Sequence, residues 1–179
     1  VIEEVTTGSR RRRTFREPMP AEVRAADQPR PDDLPQVPIN PKGQGVRVTN
    51  YGMLDWNDVY TARQLTALST FSDLVASIYD EVRTDGGSEA WATAVATILG
   101  LGVGKMAQYG STQTRMTLAG QTIRTQAAFG RNDLPMTWDF TEINPFGGRS
   151  GGWLQYLGTS LGALQNAPHG EGTAGLADA

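Results

Sequence analysis

Between Ala90 and Asn132 the chain carries no Asp or Glu, while Lys105, Arg115, Arg124 and Arg131 all fall in that window. Ser111, Thr112, Thr114, Thr117 and Thr122 accompany them. Guanidinium groups and hydroxyls suit the oxygens of a phosphate backbone. These cations, with Arg149 further on, are therefore candidate DNA contacts. The same pattern fits a basic surface that pairs with acids such as Asp73 and Asp80, or with acids of another domain. One exposed basic face favours DNA; burial against acids favours a scaffold.

A second concentration of chemistry lies at 134–153, LPMTWDFTEINPFGGRSGGW. It holds Trp138, Asp139, Phe140, Asn144, Phe146 and Trp153. Aromatic rings are a large apolar payload and rarely stand idle in a loop. Pro135, the Asn144-Pro145 pair and the two Gly-Gly pairs forbid a long helix. The segment reads as ordered but irregular, with a short extended piece at 136–140. Ordered loops of this kind form sites on a scaffold.

A third pattern, ATILGLGVGK ending at Lys105, tempts a reading as a strand followed by a nucleotide-binding glycine loop. The phosphate-loop pattern fails, because Leu99 stands where a Gly is needed and Met106 where a Ser or Thr is needed. Gly100, Gly102 and Gly104 also resemble a cofactor loop, but the usual preceding acid is missing. A helix with a small-residue face is the favoured reading. It tolerates each glycine at a cost of about 1 kcal/mol against Ala.

Composition closes several routes. There are no cysteines, so disulfides, thiolate nucleophiles and Cys-type zinc sites are excluded. The single histidine, His169, cannot build a metal cluster alone, and no catalytic residue or metal ligand is assigned. A net charge of −3 argues against polyanion binding by bulk charge. No secretory signal is evident, and no apolar run reaches the roughly 20 residues of a membrane span. A cytoplasmic location without a membrane partner is expected. The first residue is Val, so an interior piece of a longer protein is expected.

The elements that must position these residues follow from periodicity. The seven arginines of the first 35 residues are offset by seven acids, which favours a solvated arm over a nucleic-acid strip, despite the run Arg10 to Arg13. Prolines 29, 31, 35, 38 and 41 extend it as a linker. Val46 and Val48 alternate with Arg47 and Thr49 and predict a short strand over 45–50. Thr61 and Gln64 form a capping box. Behind it Leu65, Leu68, Phe71, Val75, Ile78 and Val82 make one helical stripe that Asp85-Gly86-Gly87 ends. Ser88 caps a second helix running to about Tyr109, and 121–129 reads as a short helix stopped by Gly130. The last helix begins at Ser150 or Gly151, with Trp153, Leu154, Leu157, Leu161 and Leu164 on its face. A loop at 167–172 and a short strand over 173–179 close the chain.

Two stretches carry a resemblance to a family. VTNYGMLDWNDVYTARQLTALSTFSDLV and AAFGRNDLPMTWDFTEINPFGGRSGGW resemble, in order and spacing, the middle of large adenine-specific DNA methylases that contain a zinc-ribbon region. The resemblance covers about residues 45–179. It implies an S-adenosylmethionine-dependent amino-methyltransferase whose cofactor motif lies upstream and whose Asp-Pro-Pro-Tyr motif lies downstream. Neither motif is in this sequence, and neither are the ribbon cysteines. Asn144-Pro145-Phe146 is only superficially similar to the catalytic motif and reads as a turn. Asp178 is the one residue the resemblance places near the cofactor's adenine. No cofactor is expected on this chain by itself. The expected partners are DNA and the remaining domains of the same protein.

The expected architecture is mainly α: a helical insert of two long and two shorter helices, with short strands, leading into a Rossmann-type α/β methyltransferase sheet. The expected divisions are a polar arm at 1–45, a helical region at 46–132, and at 133–179 the aromatic loop, helix and entry strand of the methyltransferase domain. The alternative is a structural or protein-interaction module without nucleic acid.

Overall fold

The computed structural model describes residues 2–7, 10–119, 122–147 and 151–167. Strands β1 (Ile2–Thr7) and β2 (Arg10–Phe15) are followed by helix α1 (Pro20–Ala26). Two 3-10 turns, Val48–Tyr51 and Trp56–Val59, lead into the long helices α2 (Ala62–Thr84) and α3 (Glu89–Tyr109). Strands β3 (Arg115–Ala119) and β4 (Thr122–Gln126) precede helix α4 (Trp153–Gln165). The mainly helical expectation holds. The strands form two separate antiparallel pairs, β1–β2 and β3–β4, and the described residues contain no Rossmann sheet.

The two long helices start and stop where local chemistry dictates. Thr61 Oγ1 accepts from the Gln64 N–H, and Gln64 Oε1 accepts from the Thr61 N–H at 2.8 Å. Ser88 Oγ accepts from the Trp91 N–H. Between the helices Gly86 turns the chain at φ +89°, a conformation that costs a side chain about 1–2 kcal/mol. α3 runs unbroken through Gly100, Gly102 and Gly104. By length and composition alone it is apolar enough to cross a membrane, with mean hydropathy 1.3. Here it packs on α2 and α4.

Gly102 is where α4 crosses α3. A Cβ there would stand 2.6 Å from Tyr156 Cε1 and 2.7 Å from Trp153 Cζ3. The Tyr156 hydroxyl donates to the Ile98 carbonyl at 2.5 Å. Trp153 also meets Phe71 of α2 at 4.8 Å between ring centroids, and Phe71 meets Phe146 at 5.8 Å. The expected face of α4 is thus half corrected. Trp153 packs, but Leu154, Leu161 and Leu164 are exposed, because the joining face runs through Tyr156.

The small core lies near the start of α2 and the end of α3. Ile39, Val48, Val59 and Leu134 are buried together, with Val46, Met53, Tyr60 and Phe129 against them. The strand expected over 45–50 does not form. Val46 makes one parallel bridge to Leu134, and the Leu134 carbonyl accepts from both Arg47 and Val48 N–H groups. With a single backbone partner there is no ladder to propagate, so the chain curls into a 3-10 turn that still buries Val48.

Two further expectations are corrected. Residues 122–126 are strand β4, not a helix, because β-branched Thr122, Ile123 and Thr125 find a ladder in β3. Phe129 follows with φ +58°. The N-terminal arm holds a hairpin and α1 rather than only a solvated linker, and Arg10 to Arg13 belong to β2.

Arg16 clamps α1 from outside through two bonds to the Glu22 carboxylate at 2.6 and 2.7 Å. These bonds, then the Met19 N–H, hold the Glu22 carboxyl down at about 2 from an ordinary 4.5. A depressed carboxylate stabilises above its unfolded value and loses that contribution as pH falls through its folded one. The clamp should therefore be intact above about pH 4.5 and open progressively toward about pH 2. An NMR titration of the Glu22 carboxyl checks this; a midpoint at the ordinary value would mean that the clamp does not persist in water.

Candidate nucleic-acid interface

The β3–β4 register places the cations. Arg115 pairs with Gln126, Met116 with Thr125 and Thr117 with Arg124. Alternation therefore puts Arg115, Thr117, Arg124 and Gln126 on one face. Arg115 and Arg124 are diagonal neighbours, roughly 7–8 Å apart at Cβ by strand geometry. All four side chains are exposed. Among the described residues neither arginine has an ion-pair partner, and none of the acid-free window's cations pairs with Asp73 or Asp80.

Beside this hairpin the 127–139 loop encloses a polar hollow of about 350 Å³, with Gln113, Arg115, Gln126, Arg131 and Asp133 among its walls. An adjoining hollow of about 490 Å³ shares Arg115, Arg131, Asp133 and Pro135 and extends to Trp138 and Asp139. Arg131 lies 3.6 Å from Asp133, so part of its charge is answered locally. Arg115 is the cation common to both hollows without such a partner among the described residues. Trp138 is 71% exposed and meets Tyr51 edge to face at 5.0 Å.

The structure thus brings Arg115, Arg124, Arg131, Trp138 and Asp139 to one side of the β3–β4 region. Lys105 lines neither hollow. It sits on α3 with its ammonium 5.0 Å from the Tyr109 ring centre and 3.4 Å from Gln108. Arg149, Asp178 and His169 lie outside the described residues, as do nearly all the closing loop and strand expected over 167–179.

Three of the hydroxyls paired with the arginines in the sequence have structural work instead. Ser111, Thr112 and Thr114 are buried. Thr112 Oγ1 donates to the Val59 carbonyl at 2.8 Å, and Thr114 Oγ1 lies 2.5 Å from the Thr141 carbonyl and 3.0 Å from that of Ser111. Buried hydroxyls must be satisfied internally, so they cannot face phosphate. Thr117 stays exposed and donates to the Arg124 carbonyl. Tyr51 and Gln113 were missed. The only signal for them is distant: Tyr51 lies 87 residues before its ring partner Trp138.

The aromatic segment divides. Trp138 and Asp139 line the adjoining hollow, which with the first makes a trough beside the hairpin, while Phe146 and Trp153 pack toward Phe71. No extended strand forms over 136–140. Phe140 is 37% exposed. Asn144 makes the expected turn: its Oδ1 accepts from Phe146 N–H and its carbonyl from Gly147 N–H.

A separate apolar hollow of about 250 Å³ lies between α2, α3 and this segment, with Leu68, Met106, Ile143 and Pro145 in its walls. Arg63 bonds Glu142 at its edge. That bond raises the Arg63 pKa further above its ordinary value. Gln64 spends its carbonyl oxygen on the helix cap and buries its Nε2 here without a partner. Nearby, burial pushes the Tyr60 hydroxyl up to about 12, so it stays a neutral donor toward the Ala107 carbonyl. This hollow is a joint between elements, with its polar groups mostly committed.

The glycines that could have made a phosphate loop are helical, and Gly102 is filled by α4 side chains. No cluster of potential metal ligands occurs among the described residues. Fold and trough define a mainly helical protein with an arginine-bearing hairpin beside an aromatic-edged cleft. Comparison with protein-family models, with curated proteins and with solved structures finds no match.

Proposed function

We propose that this chain is an interior region of an S-adenosylmethionine-dependent DNA amino-methyltransferase, with adenine N6 as the target amine. In this reading it braces the catalytic parts and presents arginines to DNA phosphates. It holds no catalytic residue, and the cofactor belongs to other parts of the enzyme, in the cytoplasm. The family part rests on the two resembling stretches. The DNA-contact part rests on one observation: Arg115 and Arg124 share an exposed hairpin face inside an acid-free window, with no ion-pair partner among the described residues.

A fluorescence titration with labelled duplex DNA at low and moderate salt tests it. Each phosphate contact contributes a slope of about −0.9 in log K against log salt. Two or three arginines predict a slope of roughly −2 to −3. Absence of binding at low salt would remove the DNA-contact role.

A second reading, a protein-interaction module, is favoured by the exposed Leu74, Trp91, Leu101, Leu154 and Leu161. Scattered exposed apolar residues are ordinary, but these lie on the long helices and α4. In a larger enzyme both readings hold at once, with the helices facing protein and the hairpin facing DNA.

A further inference from the structure

The trough contains more than duplex phosphate contact requires. Arginines alone on a convex hairpin would grip the outside of a double helix. Here Arg115 also lines a concavity that the Trp138 indole shares. Trp138 is 71% exposed, and Tyr51, 55% exposed, supports it edge on at 5.0 Å. An indole fixed by a second ring yet left open on its own surface loses apolar burial. It offers in exchange a preset stacking surface. Asp133 and Asp139 are carboxylate acceptors in the same cleft, suited to amino edges of a base and unsuited to phosphate. Arg115 and Arg131 line the same cleft as phosphate partners, Arg131 lying 3.6 Å from Asp133 and Arg115 free of such a partner among the described residues.

We infer that this cleft takes an unpaired nucleotide of DNA, its base stacked on Trp138 and its phosphate on Arg115 and Arg131. This rests on the DNA-contact reading above and adds that the trough prefers single-stranded or locally opened DNA to intact duplex. A duplex base cannot reach the indole, because its faces are covered by its neighbours. Stacking tolerates any base, so little sequence preference is expected.

The test compares the 179-residue chain with its Trp138→Ala and Trp138→Phe variants, titrated with a mixed-sequence single-stranded oligonucleotide and with the duplex of the same length. The expected result is tighter binding of the single strand. Trp138→Ala should weaken that binding about 5- to 100-fold and leave the duplex within about 2-fold, while Trp138→Phe retains most of it. Trp138 is exposed, so the variants should keep the fold, and an unchanged melting temperature verifies this. Salt-sensitive duplex binding with no effect of Trp138→Ala on the single strand would overturn this inference and leave the DNA-contact reading intact. Equal losses on both substrates would also overturn it. No binding to either substrate would overturn both.

Discussion

Reversing two charges, Arg115→Glu with Arg124→Glu, is expected to lower duplex DNA affinity about 100-fold at low salt, on the scale of two lost phosphate contacts. The two side chains are diagonal neighbours on one exposed hairpin face. Each reversal removes one counterion-releasing contact and sets a carboxylate against the phosphates, so the effect exceeds that of alanine. The salt slope should flatten by about 2. The fold should not suffer, because exposed substitutions away from special features usually stay within about 0.5 kcal/mol. Replacing both by lysine keeps the charge and should preserve most binding. The measurement is the same titration at several salt concentrations. Unchanged affinity in the double reversal would mean that the hairpin does not touch DNA.

Gly151→Ala should cost about 2–4 kcal/mol of stability, from a left-handed backbone and overpacking together. Gly151 is buried with φ +89°. A Cβ there would lie 2.5 Å from Tyr109 Cγ and 2.7 Å from Ile143 Cδ1. Neither neighbour can yield freely. Tyr109 ends α3, and Ile143 is held in the joint that Arg63 and Glu142 close. The nearest relief is to withdraw the start of α4, which would break the bond from Trp153 N–H to the Pro145 carbonyl at 2.6 Å. Gly104→Ala is the matched control. It is helical and exposed, and its added methyl meets nothing. It should gain up to about 1 kcal/mol from helix propensity. Chemical denaturation of the two variants checks the pair. A loss below about 0.5 kcal/mol for Gly151→Ala, within ordinary surface variation, would show that the α4 junction is loose.

The sequence by itself determined the long helices. Thr61 with Gln64 and Ser88 are local signals, complete within a turn of chain, and the residues behind them repeat at helical spacing. The same locality made the Asn144 turn legible and kept Gly100 to Gly104 inside a helix. The acid-free arginine window was also legible, because charge composition needs no fold.

Only tertiary structure decided the rest. Residues 122–126 became a strand because β3 lay beside them, and 45–50 failed to become one because Leu134 alone offered a partner. The buried hydroxyls at 112 and 114 left the candidate interface for the same reason: their acceptors, Val59 and Thr141, come from remote chain. Tyr51 entered it through a contact with Trp138 that no spacing encodes. Strand pairing, hydroxyl satisfaction and ring contacts are relations between distant residues, so a sequence lists the participants while packing alone determines which of them meet.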